Sequence, residues 1–352
     1  MRETDAVAEA RRDMEICNAC RYCEGFCAVF PAMELHREFS AGDLSYLANL
    51  CHNCRGCYYA CQYAPPHEWG INVPRAMAEV FNRNGTLVSL IAALGIAVVL
   101  ILSMLLNTPG NFLGARPVVP NAFYDVIPLW VMNTVGIVTF CFSLLALAMG
   151  ARNFWRDAGP RARVGFRAWM IALWDVLTLK NLGGGGHGCN DNSEAFSMRR
   201  RWLHHAMFYG FLLCFAATTT GFIYHTFLGW NAPYPFISVP VLLGTVGGVL
   251  LIIGCIGLFA IKLIDDPMPA SRMLLGADVA LLMLLALAAA TGLLLLAVRA
   301  TGAMGIVMAI HLGFILALFV TLPYSKMVHG VYRSAALLRR AAERNMPALG
   351  GE

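Results

Sequence analysis

CNACRYCEGFC at residues 17–27 and CHNCRGCYYAC at residues 51–61 set the reading of the whole chain. Both are C-x2-C-x2-C-x3-C runs, built from Cys17, Cys20, Cys23 and Cys27 and from Cys51, Cys54, Cys57 and Cys61. Tight turns at this spacing let three thiolates close on three irons of a cubane while the fourth ligand arrives from elsewhere. In two-cluster ferredoxins the last cysteine of each run serves the other cluster. The expectation is two [4Fe–4S] centres, one on Cys17, Cys20, Cys23 and Cys61, the other on Cys51, Cys54, Cys57 and Cys27. Disulfides fit badly, because no secretory signal is present and the charge asymmetry below puts the runs in a reducing compartment. Zinc fits badly too, since two CxxC pairs would leave the other cysteines without a role.

The chain of 352 residues is 58% hydrophobic and 13% charged, against a usual ~45–50% and ~25%. That is a membrane protein's balance. A net charge of +5, with no basic stripe carrying interleaved aromatics, argues against nucleic-acid binding. The opening MRETDAVAEARRDMEI has no apolar centre and reads as a short polar helix rather than a cleavable signal.

Residues 1–85 read as an α-helical ferredoxin-like domain. Between the cysteine runs, Met33, Leu35, Phe39, Leu44, Leu47 and Leu50 recur at helical spacing, with Asp43 placed to cap the second half. His52 and His67 read as polar contacts at the domain surface, because eight thiolates already suffice. Helix resumes near Pro74 and is expected to break at Asn84-Gly85. Six stretches then have the length of about twenty apolar residues that a bilayer needs: 86–106, 127–150, 202–228, 237–263, 274–298 and 305–328. An all-α protein follows, with 86–330 as a six-span membrane domain and 331–352 as a basic tail. The connection 151–201 carries Arg152, Arg156, Arg161, Arg163, Arg167, Lys180 and Arg199 to Arg201, while 107–126 and 229–236 hold only Arg116 and Asp125. By the positive-inside rule, both termini and the 151–201 loop are cytoplasmic. Within that loop NLGGGGHGCN, residues 181–190, lacks the Lys-Ser/Thr of a phosphate loop and reads as a connector lying against the cluster domain or a partner. Cys189 is then a bystander, and Cys141, Cys214 and Cys255 are small packing residues.

Ionisable groups inside a span are expensive and mark function. His204 and His205 open the third span and His225 closes it; His311 opens the sixth and His329 closes it. These helices run antiparallel, so the histidines fall at two matched depths. In a continuous helix His311 and His329 are five turns apart and face the same way, about 27 Å from each other. His204 and His225 lie about 60° from alignment, whereas His205 is about 160° off, which favours His204. Two haems b, each held between two imidazoles, are the expectation, since six-coordinate iron suits electron transfer. Asp278 reads either as a structural partner of Lys326 or as a proton relay to a quinone. Lys326, Tyr324 and Arg201 are possible quinone-site neighbours. Buried charge pairs and internal repeats, the marks of a transporter, are not expected in the spans.

The stretches CNACRYCEGFCAVFPAME, GDLSYLANLCHNCRGCYYACQYAPPHE, LGGGGHGCN, RRRWLHHAMFYGF and LPYSKMVHGVYR together resemble the tricarballylate and citrate utilization protein B family over nearly the whole chain. The resemblance implies an electron-transfer partner of a separate FAD-dependent tricarballylate dehydrogenase in the bacterial cytoplasmic membrane. The flavoprotein would oxidise tricarballylate to cis-aconitate, and this subunit would reoxidise its flavin and deliver electrons to the membrane. The membrane half is also similar in layout to the cytochrome b subunits of respiratory nitrate reductases. No nucleophile or acid–base pair stands in a soluble pocket, so no organic substrate besides quinone is expected. The rivals are an anchor for another flavoenzyme or a heterodisulfide-reductase-like complex, and a membrane iron–sulfur redox sensor.

Overall fold

The computed structural model describes residues 4–80, 85–115, 117–159, 163–184 and 186–344. Asn84, Arg116 and Arg161, used above as a helix break and as loop charges, lie outside these residues, as does the tail from 345. The fold is all-α apart from a two-residue antiparallel pair, β1 (Cys189–Asn190) with β2 (Phe196–Ser197).

The cysteine-bearing domain is built from α1 (Asp5–Cys20), α2 (Val29–Met33), α3 (Ala41–Leu50), α4 (Gly56–Tyr59) and α5 (Val73–Glu79). The apolar residues read between the cysteine runs are all buried: Met33, Leu35, Phe39, Leu44, Leu47 and Leu50. Met33 ends one helix and Leu44, Leu47 and Leu50 belong to the next, while Leu35 and Phe39 lie in the connection between them. Ser40 starts the second by accepting from the Asp43 N–H, and Asp43 returns the bond to the Ser40 N–H, a reciprocal cap.

Beyond it come α6 (Gly85–Leu105), α7 (Pro109–Leu113), α8 (Leu129–Asp157), α9 (Phe166–Leu177), α10 (Arg199–Leu228), α11 (Val239–Ile264), α12 (Arg272–Val298), α13 (Met304–Thr321) and α14 (His329–Glu343). Among the described residues, five helices are long and apolar enough to cross a membrane: α8, α10, α11, α12 from Gly276, and α13. In α6, expected as the first span, the described apolar run is shorter, Ser89–Leu105. The chain is a membrane protein by length and composition of these helices.

Small residues let α10 and α11 touch backbone to backbone. A Cβ added to Gly210 would stand 2.5 Å from the Leu251 nitrogen, and one on Gly254 would stand 2.4 Å from the Met207 nitrogen. Such close approach is a usual source of helix association in lipid.

Two expectations fail at the C-terminal end. The sixth span does not run to 328; α13 stops at Thr321 and a short 3-10 turn, Lys326–Val328, precedes α14. Pro323 is the cause, because it has no N–H for the carbonyl four residues back and its ring clashes there. That carbonyl, on Phe319, takes the hydroxyl of buried Ser143 from α8 instead. The basic tail is largely no tail. Ala336, Leu337 and Leu338 of α14 join the core formed by Met14, Phe39, Leu44 and Tyr46. Arg339, 2% exposed, lies over the Tyr46 ring at 3.9 Å and binds Glu343 at 3.1 Å and the Ala158 carbonyl at 3.0 Å.

Candidate metal centres and the cavity beside them

The local backbone brings the eight thiols to two places. Arg21 and Arg55 adopt left-handed backbone, with φ of 54° and 66°, which turns the chain sharply inside each cysteine run. Cys17, Cys20, Cys23 and Cys61 line one small cavity of about 30 Å³, closed by Ile16, Phe30 and Tyr63. Cys27, Cys51, Cys54 and Cys57 line another of about 20 Å³. All eight are free thiols.

Burial pushes the Cys23 thiol up to about 12 and Cys51 up to about 11, and raises Cys17, Cys27, Cys57 and Cys61 as well. Neighbouring thiols within the same set add to the rise for Cys17, Cys23, Cys27 and Cys57. Such crowded buried thiols become good ligands once a metal takes their protons. Among the described residues no three His, Cys, Asp or Glu share a single-ion site. A cubane asks for one thiolate per iron, so the two sets fit it.

The glycine-rich connector is folded onto the second set. The Asn190 N–H bonds to the Cys54 carbonyl at 2.8 Å, and a Cβ on Gly184, where φ is +56°, would lie 3.8 Å from the Cys54 Cβ. Cys189 is buried and donates its S–H to the Leu182 carbonyl at 3.4 Å. It lines neither thiol cavity.

A third and larger cavity, about 430 Å³, separates this domain from the membrane helices. His52, Asn53 and Arg55 form one wall; His204, Lys262, Asp278, Lys326, His329 and Arg333 form the others. His204 and His329 face each other, ring centroids 6.3 Å apart and planes at 89°. Metal–imidazole bonds of about 2.0–2.1 Å, as at zinc, would put two rings opposed across one metal about 6 Å apart, centroid to centroid. The His329 Nδ1–H donates to the Lys326 carbonyl, which leaves Nε2 for the cavity. Among the described residues, the buried Nδ1 of His204 has no hydrogen-bond partner. His205 turns elsewhere: it donates to the Arg201 carbonyl at 2.9 Å and stacks on Tyr209 at 6.0 Å.

His52 was expected at the domain surface. It is half-buried against this cavity instead, donating from Nδ1 to the Leu50 carbonyl at 2.7 Å. Burial, then the Arg333 cation, press its pKa well below the ordinary imidazole value. His67 does sit among surface aromatics, edge-on to Tyr63 and Trp69.

Asp278 pairs with Lys326, and also with Lys262, which the sequence reading missed. A charge cluster at the end of the spans was not expected. The buried Asp278 carboxylate is paired on both oxygens, which is the condition for burying its charge, while the excess positive charge sits on the two part-exposed lysines. Arg201 points away, bonding the Thr178 carbonyl at 3.0 Å, and Tyr324 is exposed. A further buried network ties the domains. Arg55 pairs with Asp265, and Arg200 reaches Asp191 at 3.0 Å and Asp265 at 3.2 Å.

At the other end of the bundle a cavity of about 370 Å³ opens between α10 and α13, lined by His311, Cys214 and Thr218. His311 is oriented by the Ala288 carbonyl at 3.1 Å and the Thr291 hydroxyl at 3.2 Å. Gly292 leaves room for its ring, since a Cβ there would stand 3.0 Å away. His225 is not brought to this cavity. Its ring lies edge-on to Tyr124 at 5.6 Å.

Comparison with known proteins agrees with the architecture. The family profile described as citrate utilization protein B matches residues 80–350, and that of its Fer4-like domain matches residues 10–86. The citrate utilization protein B of Escherichia coli is 46% identical across 97% of this chain and 93% of its own. No solved structure matches. With the cysteine domain, the apolar bundle and the matched profiles in register, the chain belongs to the citrate utilization protein B family.

Proposed function

We propose that this protein is a membrane electron-transfer subunit that takes electrons from a reduced flavoprotein and delivers them to quinone. The observation that carries the proposal is the succession of adjoining sites. The set at Cys17 abuts the set at Cys51, Cys51 adjoins His52 and Arg333, and these border the facing His204 and His329. When bound, two [4Fe–4S] clusters and haem b supply one-electron chemistry, and the polypeptide supplies position and potential.

His204 and His329 would hold the haem nearer the cysteine domain. His311 would hold a second in the cavity it lines, from which His225, edge-on to Tyr124, is absent. Asp278, Lys326 and Lys262 form a proton-holding group at the cavity edge, where quinone reduction consumes protons. Six spans, counting α6, put both termini and the 151–201 connection in the cytoplasm of the bacterial inner membrane. The electron donor we take to be an FAD-dependent tricarballylate dehydrogenase, as the resemblance of the sequence motifs implies.

The test combines a reduced-minus-oxidised spectrum with iron and sulfide counts on the purified protein, followed by mixing with reduced dehydrogenases. The expected result is haem b bands, about eight irons in clusters, and reoxidation of tricarballylate dehydrogenase but not of succinate dehydrogenase. Absence of haem bands would reduce the chain to an anchored ferredoxin.

A further inference from the structure

The connection between α8 and α10 contains a helix whose outer face no described residue covers. On α9, Phe166, Trp169, Met170, Leu173, Trp174 and Leu177 recur at three- and four-residue steps, one continuous stripe of a helix. All six are exposed, Phe166 at 80% and Trp174 at 67%. The opposite face is buried through Ala168 and Ala172, and there α9 packs on α14. A water-facing loop would not place two tryptophans, a phenylalanine and a methionine outward along one line.

The position of the helix says what covers the stripe. Tyr209 of α10 donates its hydroxyl to the Leu177 carbonyl at 2.7 Å, and Arg201 donates to the Thr178 carbonyl at 3.0 Å. Tyr209 lies about 15 Å along α10 from Arg199. The end of α9 is therefore pinned beside the first turns of a helix long and apolar enough to cross the membrane. Trp202 of α10 is exposed at 67% near that level, as expected of an aromatic at a bilayer's polar boundary. Exposed Arg163, Arg167 and Lys180 flank the stripe.

We propose that α9 is an in-plane anchor that lies on the bilayer carrying the spans, its aromatic stripe in the acyl boundary and its flanking cations on anionic headgroups. Because α9 carries α14, and α14 begins with His329 and runs into the core of the cysteine domain, this contact with lipid sets that domain's height above the membrane.

The test uses the full-length protein in vesicles of phosphatidylcholine and phosphatidylglycerol, with and without bromine on the acyl chains. Wild type is compared with W169F/W174F, and the difference between them is the emission of those two indoles. Bromine is expected to quench that difference emission about twofold or more, and aqueous iodide to leave it nearly unchanged. Removing phosphatidylglycerol should weaken the bromine effect in wild type but not in R163Q/R167Q/K180Q. Indoles quenched by iodide and not by bromine would overturn the proposal. So would a stripe that becomes shielded only when a soluble flavoprotein is added, which would make it a protein-docking face.

Discussion

Arg333 donates through Nη2 to the backbone carbonyl of Cys51 at 2.9 Å, joining residues 282 positions apart in the chain. One turn earlier on α14 stands His329, so a single guanidinium adjoins both the second thiol set and the facing imidazoles. A cation there stabilises the reduced, more negative form of whatever redox centre it faces. Arg333→Gln should lower the midpoint potential of the cluster on Cys51, Cys54, Cys57 and Cys27 by about 60 mV, a tenfold change in a one-electron equilibrium. The cluster on Cys17, Cys20, Cys23 and Cys61 should shift much less. Redox titration followed by electron paramagnetic resonance separates the two.

The two histidines that open α10 should behave unequally. His204→Ala and His329→Ala should each remove the same haem signal from the reduced-minus-oxidised spectrum, since each takes away one side of a bis-imidazole site. His205→Ala should leave the spectrum in place, because its ring is turned to Tyr209 and the Arg201 carbonyl.

Crossed ligation makes its own prediction. Cys27→Ala should disturb the cluster otherwise held by the second run, and Cys61→Ala the one held by the first. Each variant should lose up to about four of eight irons, the surviving cluster being the one held mainly by the run that was mutated. Iron counting with low-temperature paramagnetic spectra reads the outcome.

Under the cysteine domain, the Asp43 carboxylate meets the His36 Nδ1 at 3.2 Å and the Ser40 hydroxyl at 2.7 Å. Burial alone would raise its pKa, but the hydrogen bonds from His36 and Ser40 outweigh it and hold the carboxyl well below the usual range. A depressed folded value means the stabilisation is complete above the unfolded pKa of about 3.9 and is lost as pH falls through the folded one. Asp43→Asn should cost about 1–2 kcal/mol at pH 7, through the cap and the charged hydrogen bonds. The gap in melting temperature between variant and wild type should narrow as the pH drops below about 4.

Gly254→Ala tests the close contact of α10 and α11. Its methyl would meet the Met207 nitrogen at 2.4 Å, so the helices must separate. Because Met207 lies one turn from His204, the variant should lose folded yield and haem signal together, by about 1–3 kcal/mol of overpacking strain. A loss of neither would show that the helices slide apart freely.

The parts of this architecture legible in sequence were those with their own periodicity. The cysteine spacing, the apolar residues Leu44, Leu47 and Leu50 of α3 and the long apolar stretches each follow a period that geometry imposes, whereas Leu35 and Phe39 are buried from a connection. His204 rather than His205 faces His329, as expected, but the helical angle behind that expectation runs to His225, which lies against Tyr124, and the continuous helix assumed for His311 and His329 is broken at Pro323. What escaped were elements whose meaning depends on a distant neighbour. Arg339 and Arg340 suggested a solvated tail because charge was read without its partners, yet Arg339 is enclosed by Glu343, Tyr46 and the Ala158 carbonyl. In α9, the arginines around the stripe concealed an apolar face inside a connection read as a loop. Lys262 sits at the last turn of an apolar helix, and only the fold shows that Asp278 lies beside it.

The dependence of the first domain on the last helix has a consequence for how the protein is made. A ribosome releases Cys17 to Cys61 well before Ala336, Leu337 and Leu338, which complete the core beneath them, and before Arg339, which covers Tyr46. Every span must be inserted before that lid arrives. The nascent cysteine segment therefore waits, incomplete, until the last span has been made, and a stop codon before Ala336 leaves a product whose cysteine domain lacks part of its core.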